Sequence, residues 1–431
     1  MSGILLAQKG YSVSIFEKRT DPQFSSIYNG RSINLALSER GLKALGLAGL
    51  KDTALTIGVP MYGRIVHTSN GVNFHPYGKD NQCIYSVSRS GLNNSIIEES
   101  RKSAGIQFHF DHDFLDWIPE TQKLIVHDKS SDTIQQFKTN ILLGADGAFS
   151  GVRKVLERYS KINTNIQEFP FGYKEADVPA SPNGDFLLEK NALHIWPQKS
   201  FMLIALPNTD GTFTCTLFLG LKGDVSFEKL KSLTDWESFV AKYFPDLAEL
   251  APSVAVQLAE NPVSVLSSLT CYPWSYENTA FLIGDAAHAI LPFYGQGMNA
   301  GFEDISILSE LIDEHDGNWE QIIPTFEQSR KPNADAIREL AERNFIEMRD
   351  LVTDPEFLVK RALEHHIVEW TQGKWTPLYT MVTFSHLPYS EALNKGNLQD
   401  QLLEKIIREL SINSECDWEK LKVAVLSYLS K

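Results

Sequence analysis

Residues 278–304 read NTAFLIGDAAHAILPFYGQGMNAGFED. A short apolar strand over 281–283 delivers Gly284 and Asp285 to its carboxyl end. Gly295 and Gly297 then open a helix whose apolar face carries Phe302, Ile305, Leu308 and Ile312. In open α/β sheets ligands bind outside the carboxyl ends of the strands. At that position Asp285 can hold a ribitol or ribose hydroxyl, and the helix start offers free N–H groups and partial positive charge to an electron-rich group. His288, set among alanines, is expected to be a packed and satisfied histidine.

Two further segments extend this pattern. The first, MSGILLAQKGYSVSIFEKR, predicts a helix over residues 3–9, a stop at Gly10, and a strand in which Tyr11, Val13 and Ile15 alternate with serines until Glu17. In a dinucleotide-binding βαβ unit, an acid at the end of the second strand accepts hydrogen bonds from the adenosine ribose, and Glu17 stands there. The first strand and G-x-G-x-x-G turn of such a unit do not stand before Ile4, so this unit is expected to be incomplete. In the second segment, GADGAFSGVR, Gly147 permits close backbone approach to a ligand, and Ser150 and Arg153 share one face of a helix start where they can meet a pyrophosphate. A turn with a helix cap accounts for the same residues.

Along the rest of the chain, a helix is expected over 38–48 with Ser38 as N-cap, and strands over 63–67, 84–88, 107–114, 124–127 and 140–144. A helix runs from Arg89 to about Ala104. Between about 165 and 275 the strand-rich texture of DFLLEK, ALHIWP, SFMLIALP and GTFTCTLFLG, broken by a helical piece near 226–250, reads as an inserted antiparallel sheet. From Asn333 the chain is helical apart from a loop at GKWTPLYTMVTF. The expected class is α/β, α+β overall, divided at 1–165, 166–275, 276–330 and 331–431.

Composition narrows the function. A chain of 431 residues, 43% hydrophobic, can bury two or three packed units. Its formal charge of −14, from 54 acidic and 40 basic residues, opposes nucleic acid and anionic lipid as main partners. Cys83, Cys215, Cys271 and Cys416 form no C-x-x-C pair and have no histidines at metal-ligand spacing, so they read as reduced thiols and no metal site is expected. No stretch approaches the roughly 18 apolar residues of a membrane span, so a cytoplasmic protein without an anchor is expected.

In this order, and with a sheet between the last two, Glu17, the Asp-Gly segment and the Gly-Asp segment resemble the single-component flavin aromatic hydroxylases of the para-hydroxybenzoate hydroxylase fold. GRSINLALSERGLKAL, VSRSGLNNSI, ALHIWPQKSFMLIALPN, FTCTLF, GDAAHAILPFYGQGMNAGFED, RNFIEM and PLYTMVTFS resemble, within that group, the kynurenine 3-monooxygenase family. The resemblance implies a Rossmann-like FAD-binding domain, an inserted antiparallel sheet as substrate domain, and C-terminal helices that cap the pocket. It implies tightly but non-covalently held FAD, NADPH and O2 as co-substrates, and L-kynurenine converted to 3-hydroxykynurenine by a monomer or homodimer.

For the substrate the resemblance implies Arg64 and Tyr77 on the carboxylate, Asn344 and Tyr379 completing the pocket, and Phe218, Pro292, Phe293 and Met348 lining it. For FAD it implies Glu17, Arg31, Ala36, Arg89, Phe114, Asp146, Gly147, Arg153, Asp285, Gly297, Met298 and Asn299. It assigns no catalytic side chain, because the flavin carries the oxygen chemistry. A flavin halogenase is the nearest rival enzyme, but its W-x-W-x-I-P signature does not occur. The other rival is a flavin-deficient remnant, since a lost central strand would cost stability comparable to a domain's total of about 5–15 kcal/mol.

Overall fold

Strands with nearly continuous apolar sequence belong where both faces are covered, and Ala192–Pro197, Met202–Pro207 and Phe213–Gly220 lie in the middle of the largest sheet. The structure is a computed structural model and describes residues 1–24, 34–69, 71–78, 82–351 and 354–429. Seven strands form this sheet, in the order Ser264–Tyr272, Asn163–Val178, Phe213–Gly220, Met202–Pro207, Ala192–Pro197, Gly63–Thr68 and Gly71–Pro76. Helices Leu233–Tyr243, Pro245–Leu250 and Ser253–Glu260 cover one face around Trp236, Phe239 and Phe244. Over the other lie the helices Trp319–Ile346 and Tyr389–Glu409 and the turn Pro292–Tyr294, packed through Phe218, Phe293 and Phe345.

The sheet corrects the expected insertion. Two of its strands come from the hairpin at 63–76, and Gly63–Thr68 pairs parallel to Ala192–Pro197 with Arg64 opposite Leu193. The exposed edge of the inserted strands is thus extended by a distant hairpin, which sets Arg64 in the same sheet as Phe218. The sheet is mixed, and it is not confined to 166–275.

The nucleotide-type unit starts with the helix Ser2–Gln8 and the strand Val13–Phe16, which pairs parallel to Ile106–His109. Leu142–Gly144 pairs parallel to Ala280–Leu282 in a separate sheet, and one hydrophobic core joins Ile4 and Leu5 to Leu142, Phe281 and Ile283. The expected strand over 107–114 is two strands, broken at Asp111, whose φ of 58° ends the ladder. DFLLEK is not a strand, and its Phe186, Leu187 and Leu188 pack against the second core. Thr133–Lys138, too polar to be read as a strand, forms one by pairing with Lys123–Asp128.

Two expectations about the C-terminal part also change. The boundary at 330/331 falls inside one helix, Trp319–Ile346, that runs through Pro324 and Pro332. The expected loop at GKWTPLYTMVTF contains the helix Leu378–Thr383. The tail helix Trp418–Leu429 packs with Pro355–Trp370 around Leu363, Ile367, Ile406 and Val425, forming its own small core. Among the described residues no helix is long and apolar enough to cross a membrane.

Candidate active site

The hairpin at 63–76 and the helix Leu378–Thr383 bring one cation and two phenols together. Arg64 Cζ lies 4.7 Å from the Tyr379 ring centroid and 5.4 Å from that of Tyr77. Tyr77 and Tyr379 stack at 5.4 Å, and Tyr294 continues the stack on Tyr379 at 5.7 Å. Arg64 Nε and the Tyr77 hydroxyl are buried without a hydrogen-bond partner. That hydroxyl lies near Arg64 and Tyr379 but bonds neither in normal geometry. A buried polar group left unpaired costs about 1–3 kcal/mol. Donors left open in this way form a receptor for an anion.

The charges agree with that reading. Burial opposes the charge on Arg64, but Tyr379, Tyr77 and the Glu347 carboxylate outweigh it and hold the guanidinium above its ordinary value. Burial, reinforced by Tyr379, pushes the hydroxyls of Tyr77 and Tyr294 up. At neutral pH the cluster therefore presents a fixed positive charge and protonated phenols, a match for a carboxylate.

Glu347 escaped the sequence reading. It opens the π-helical stretch Glu347–Leu351, pairs with Arg361 at 2.9 Å, and lies close enough to act on both Arg64 and Tyr294. Its position three residues after Asn344, on one helix face, was the available signal. An acid beside a carboxylate receptor suits an ammonium group.

Asn344 is buried beside Phe293 and Met348. Its Nδ2 donates to the Phe293 carbonyl at 2.7 Å and reaches Met348 Sδ at 3.3 Å, so this amide nitrogen holds the Pro292–Tyr294 turn. Phe293 in turn stacks on Phe345 at 4.3 Å and contacts Phe218 at 4.7 Å. Phe293, Phe218 and Met348 are buried, whereas Pro292 is exposed.

The turn Pro292–Tyr294, whose Tyr294 stacks on Tyr379, leads back to the Gly-Asp segment. Gly284 has φ 56° and ψ −142°, a conformation that L side chains rarely adopt, and its backbone packs on that of Gly301. The turn leaves Asp285 exposed at the carboxyl end of Ala280–Leu282. The 18-residue helix Gly297–Glu314 begins beside it, with Met298 half-buried in the first turn. Asn299 is fully buried: its Oδ1 accepts from Ser38 N at 2.9 Å, and its Nδ2 donates to the carbonyls of Ala36 at 2.8 Å and Gly295 at 2.9 Å. It acts by fixing Ala36 and the helix start. Ser38 is the N-cap of Glu39–Leu47, but its side chain makes no capping bond.

The Asp-Gly segment forms the turn with a helix cap that accounts for its residues, with Ser150 as N-cap of Gly151–Tyr159. Asp146 accepts from Gly151 N at 2.7 Å, from Val152 N at 3.1 Å and from the Ser150 hydroxyl, while Ser150 Oγ caps Arg153 N at 2.9 Å. Arg153, 1% exposed, donates to the carbonyls of Ala286 and Ala148, each at 2.7 Å. Ser150 and Arg153 are buried and Asp146 is exposed; Arg153 fastens this turn to the one at 284–288 through its two terminal nitrogens, while its Nε is buried without a hydrogen-bond partner. Gly147, at φ 83°, faces open space. Phe114 packs on Gly151, and Glu17 ends its strand half-buried, with Oε1 accepting from Arg19 N at 2.9 Å. Arg89 is the exposed first residue of the helix Arg89–Arg101. Arg31 lies outside the described residues. His288 is buried and bonded to Asp304, as expected.

An FAD-binding-domain family model matches residues 1–341, which defines a flavoprotein of the FAD-binding class. The chain is 41% identical over 428 residues to kynurenine 3-monooxygenase of Flavobacterium johnsoniae, covering 99% of this chain and 96% of that protein. It is 43% identical over 432 residues to the kynurenine 3-monooxygenase of Cytophaga hutchinsonii, with 99% and 96% covered. The Dictyostelium discoideum enzyme of that name is 38% identical over 442 residues, with 99% and 94% covered. This chain belongs to the kynurenine 3-monooxygenase family. In fold it matches 2-methyl-3-hydroxypyridine-5-carboxylic acid oxygenase, at a TM-score of 0.64 and 18% identity over 83% of this chain and 91% of that one. It also matches PqsL, a probable FAD-dependent monooxygenase from Pseudomonas aeruginosa, at 0.64 and 16% over 81% and 93%.

Proposed function

We propose that the protein hydroxylates L-kynurenine to 3-hydroxykynurenine, with FAD as its tightly but non-covalently held cofactor and NADPH and O2 as co-substrates. The observation that carries this reading is the buried Arg64–Tyr77–Tyr379 cluster, whose Arg64 Nε and Tyr77 hydroxyl lack a partner. It takes the substrate's carboxylate, and Glu347 faces the ammonium group. The aniline ring lies against Phe293, Phe218, Pro292 and Met348, where apolar walls exclude water. The ring's own amino group activates the neighbouring carbon, so no protein base is needed.

The residues assigned to FAD fit it by their donor set. An exposed Asp285 carboxylate suits a ribityl hydroxyl, the N–H groups at Gly297 and Met298 suit the flavin's electron-rich edge, and Glu17 suits the adenosine ribose. We assign Ala36, Phe114, Gly147 and Arg89 to the same cofactor, and Asn299, Asp146 and Arg153 hold the turns around it. When bound, FAD supplies the electron transfer from NADPH and the oxygen transfer to the ring. Free thiols at all four cysteines suit a reducing compartment, and we place the protein in the cytoplasm as a monomer or homodimer.

The test is NADPH oxidation by FAD-loaded protein with and without L-kynurenine, with the product followed by mass. Kynurenine-dependent oxidation and a product heavier by one oxygen atom, taken from labelled O2, are expected. FAD-loaded protein that forms no such product overturns the reading, and protein that retains no FAD supports the flavin-deficient one.

A further inference from the structure

A chain of charges, buried except for the half-buried Glu303, runs from the Gly284 turn to the helix Leu378–Thr383. Asp304, 0% exposed, accepts from Gly284 N at 2.8 Å, binds His288 Nε2 at 2.6 Å and accepts from Arg330 Nε at 2.7 Å. Arg330 Nη1 donates to one oxygen of Glu303 at 2.7 Å, and Arg40 Nη1 donates to the other. Arg40 also donates through Nε to the Val382 carbonyl at 3.2 Å and through Nη2 to the Leu387 carbonyl, with its guanidinium 3.9 Å over the Tyr389 ring. One end of the chain grips the residue before Asp285. The other grips the helix that carries Tyr379.

Buried ion pairs add little net stability, because desolvation offsets much of their attraction. Five ionisable groups in series are therefore poorly explained by stability alone. Charge-assisted hydrogen bonds are short and directional, so what the series does supply is fixed geometry between two distant main-chain segments. A comparison is built into the same two helices: Lys43 and Glu310 also join Glu39–Leu47 to Gly297–Glu314, at 2.7 Å, but this pair is exposed and touches neither site.

We propose that Glu303 is a positioning residue: by bridging Arg330 to Arg40 it couples the Gly284 turn to the Tyr379 helix, so that FAD binding sets the carboxylate pocket. The proposal rests on the FAD and kynurenine reading above. Its test compares wild type, Glu303→Gln and Glu310→Gln by hydrogen exchange over residues 378–387 with and without FAD, alongside kynurenine kinetics. FAD is expected to slow exchange there about tenfold in wild type and in Glu310→Gln, and hardly at all in Glu303→Gln. The same Glu303→Gln variant is expected to raise KM for kynurenine about tenfold with kcat much less affected.

Retention of both the FAD-dependent slowing and the KM in Glu303→Gln overturns the coupling, whatever its melting temperature does. So does an absence of slowing in wild type, which holds even if the variant fails to fold. In that event Arg40→Lys, which keeps the charge but not the fork, is read the same way. If the slowing is present in wild type and lost in the variant, yet kynurenine is not turned over, the coupling stands and the substrate reading falls.

Discussion

Arg64 carries the strongest single expectation. Its planar fork approaches both Tyr77 and Tyr379, and a lysine ammonium cannot reproduce that geometry. A hydrogen bond to a charged group contributes about 1.5–3 kcal/mol, so Arg64→Lys should raise the KM for kynurenine about 10- to 100-fold. Because these contacts are remote from the reacting carbon, kcat should move far less; a fall in kcat at unchanged KM would contradict the assignment. The pH dependence follows from the same groups. The Arg64 guanidinium and the Tyr77 and Tyr294 hydroxyls are all shifted upward, away from neutrality. A phenol ordinarily titrates near about 10, so KM should be flat from about pH 6 to 9 on their account. A KM that climbs steadily across that window would show that a different group holds the carboxylate. Arg64 and Tyr379 were legible in the sequence only through family resemblance. Nothing local in their own segments says that a strand residue and one more than 300 positions later meet.

At the scale of elements, the turn at 284–288 and the histidine pair behind the sheet make separate predictions. Gly284 holds φ 56°, and a side chain there is strained by about 1–3 kcal/mol. Gly284→Ala should therefore lower the melting temperature of the apoprotein and weaken FAD binding, seen as flavin fluorescence quenched only at higher protein concentration. Unchanged values for both would mean that the turn is not conformationally demanding. Behind the sheet, His194 donates Nε2–H to the Glu189 carbonyl at 2.8 Å and faces His67 Nε2 across 2.9 Å, while His67 Nδ1 meets Asp246 at 2.7 Å. Burial, with His67 beside it, pushes His194 down to about 4. The folded value lies below the ordinary 6.5, so the unfolded chain binds more protons between the two. Stability should then fall by on the order of 3 kcal/mol as pH drops from about 6.5 to 4, measured as urea-unfolding free energy. His194→Gln should flatten that slope, and an equally steep slope in the variant would locate the acid sensitivity elsewhere. This cluster ties the strand carrying Arg64 to Pro245–Leu250, and Trp196 Nε1 adds bonds to Asp246 at 3.0 and 2.9 Å. The central strands were legible because both faces are covered and their sequences are nearly continuous in apolar residues. The helix Leu378–Thr383 was not, because Thr380, Val382 and Thr383 are β-branched and favour extended backbone. It is imposed from outside: Leu378 packs on Gly396, where an added Cβ would come within 2.8 Å, and Arg40 takes the Val382 carbonyl.

For the whole molecule, the pocket draws on regions the sequence kept apart: a hairpin at 63–76, the sheet strand carrying Phe218, and helices that follow residue 319. Each piece is legible as a motif on its own, while their meeting depends on a sheet pairing between Gly63–Thr68 and Ala192–Pro197 that no local pattern encodes. Net charge is the property that needs no such assembly. With −14 on the chain, an anionic dinucleotide approaches against a repulsive field, whereas zwitterionic kynurenine carries almost no net charge to be repelled. Screening lengths shrink from about 30 Å at 0.01 M salt to about 8 Å at 0.15 M, which removes most of that repulsion. Raising the salt over this range should therefore lower the KM for NADPH and leave the KM for kynurenine nearly constant. Stopped-flow flavin reduction at low NADPH separates the two directions cleanly. A rate that falls with salt would mean that a local basic patch near the dinucleotide's entry outweighs the global charge, and the sign of the slope decides between them.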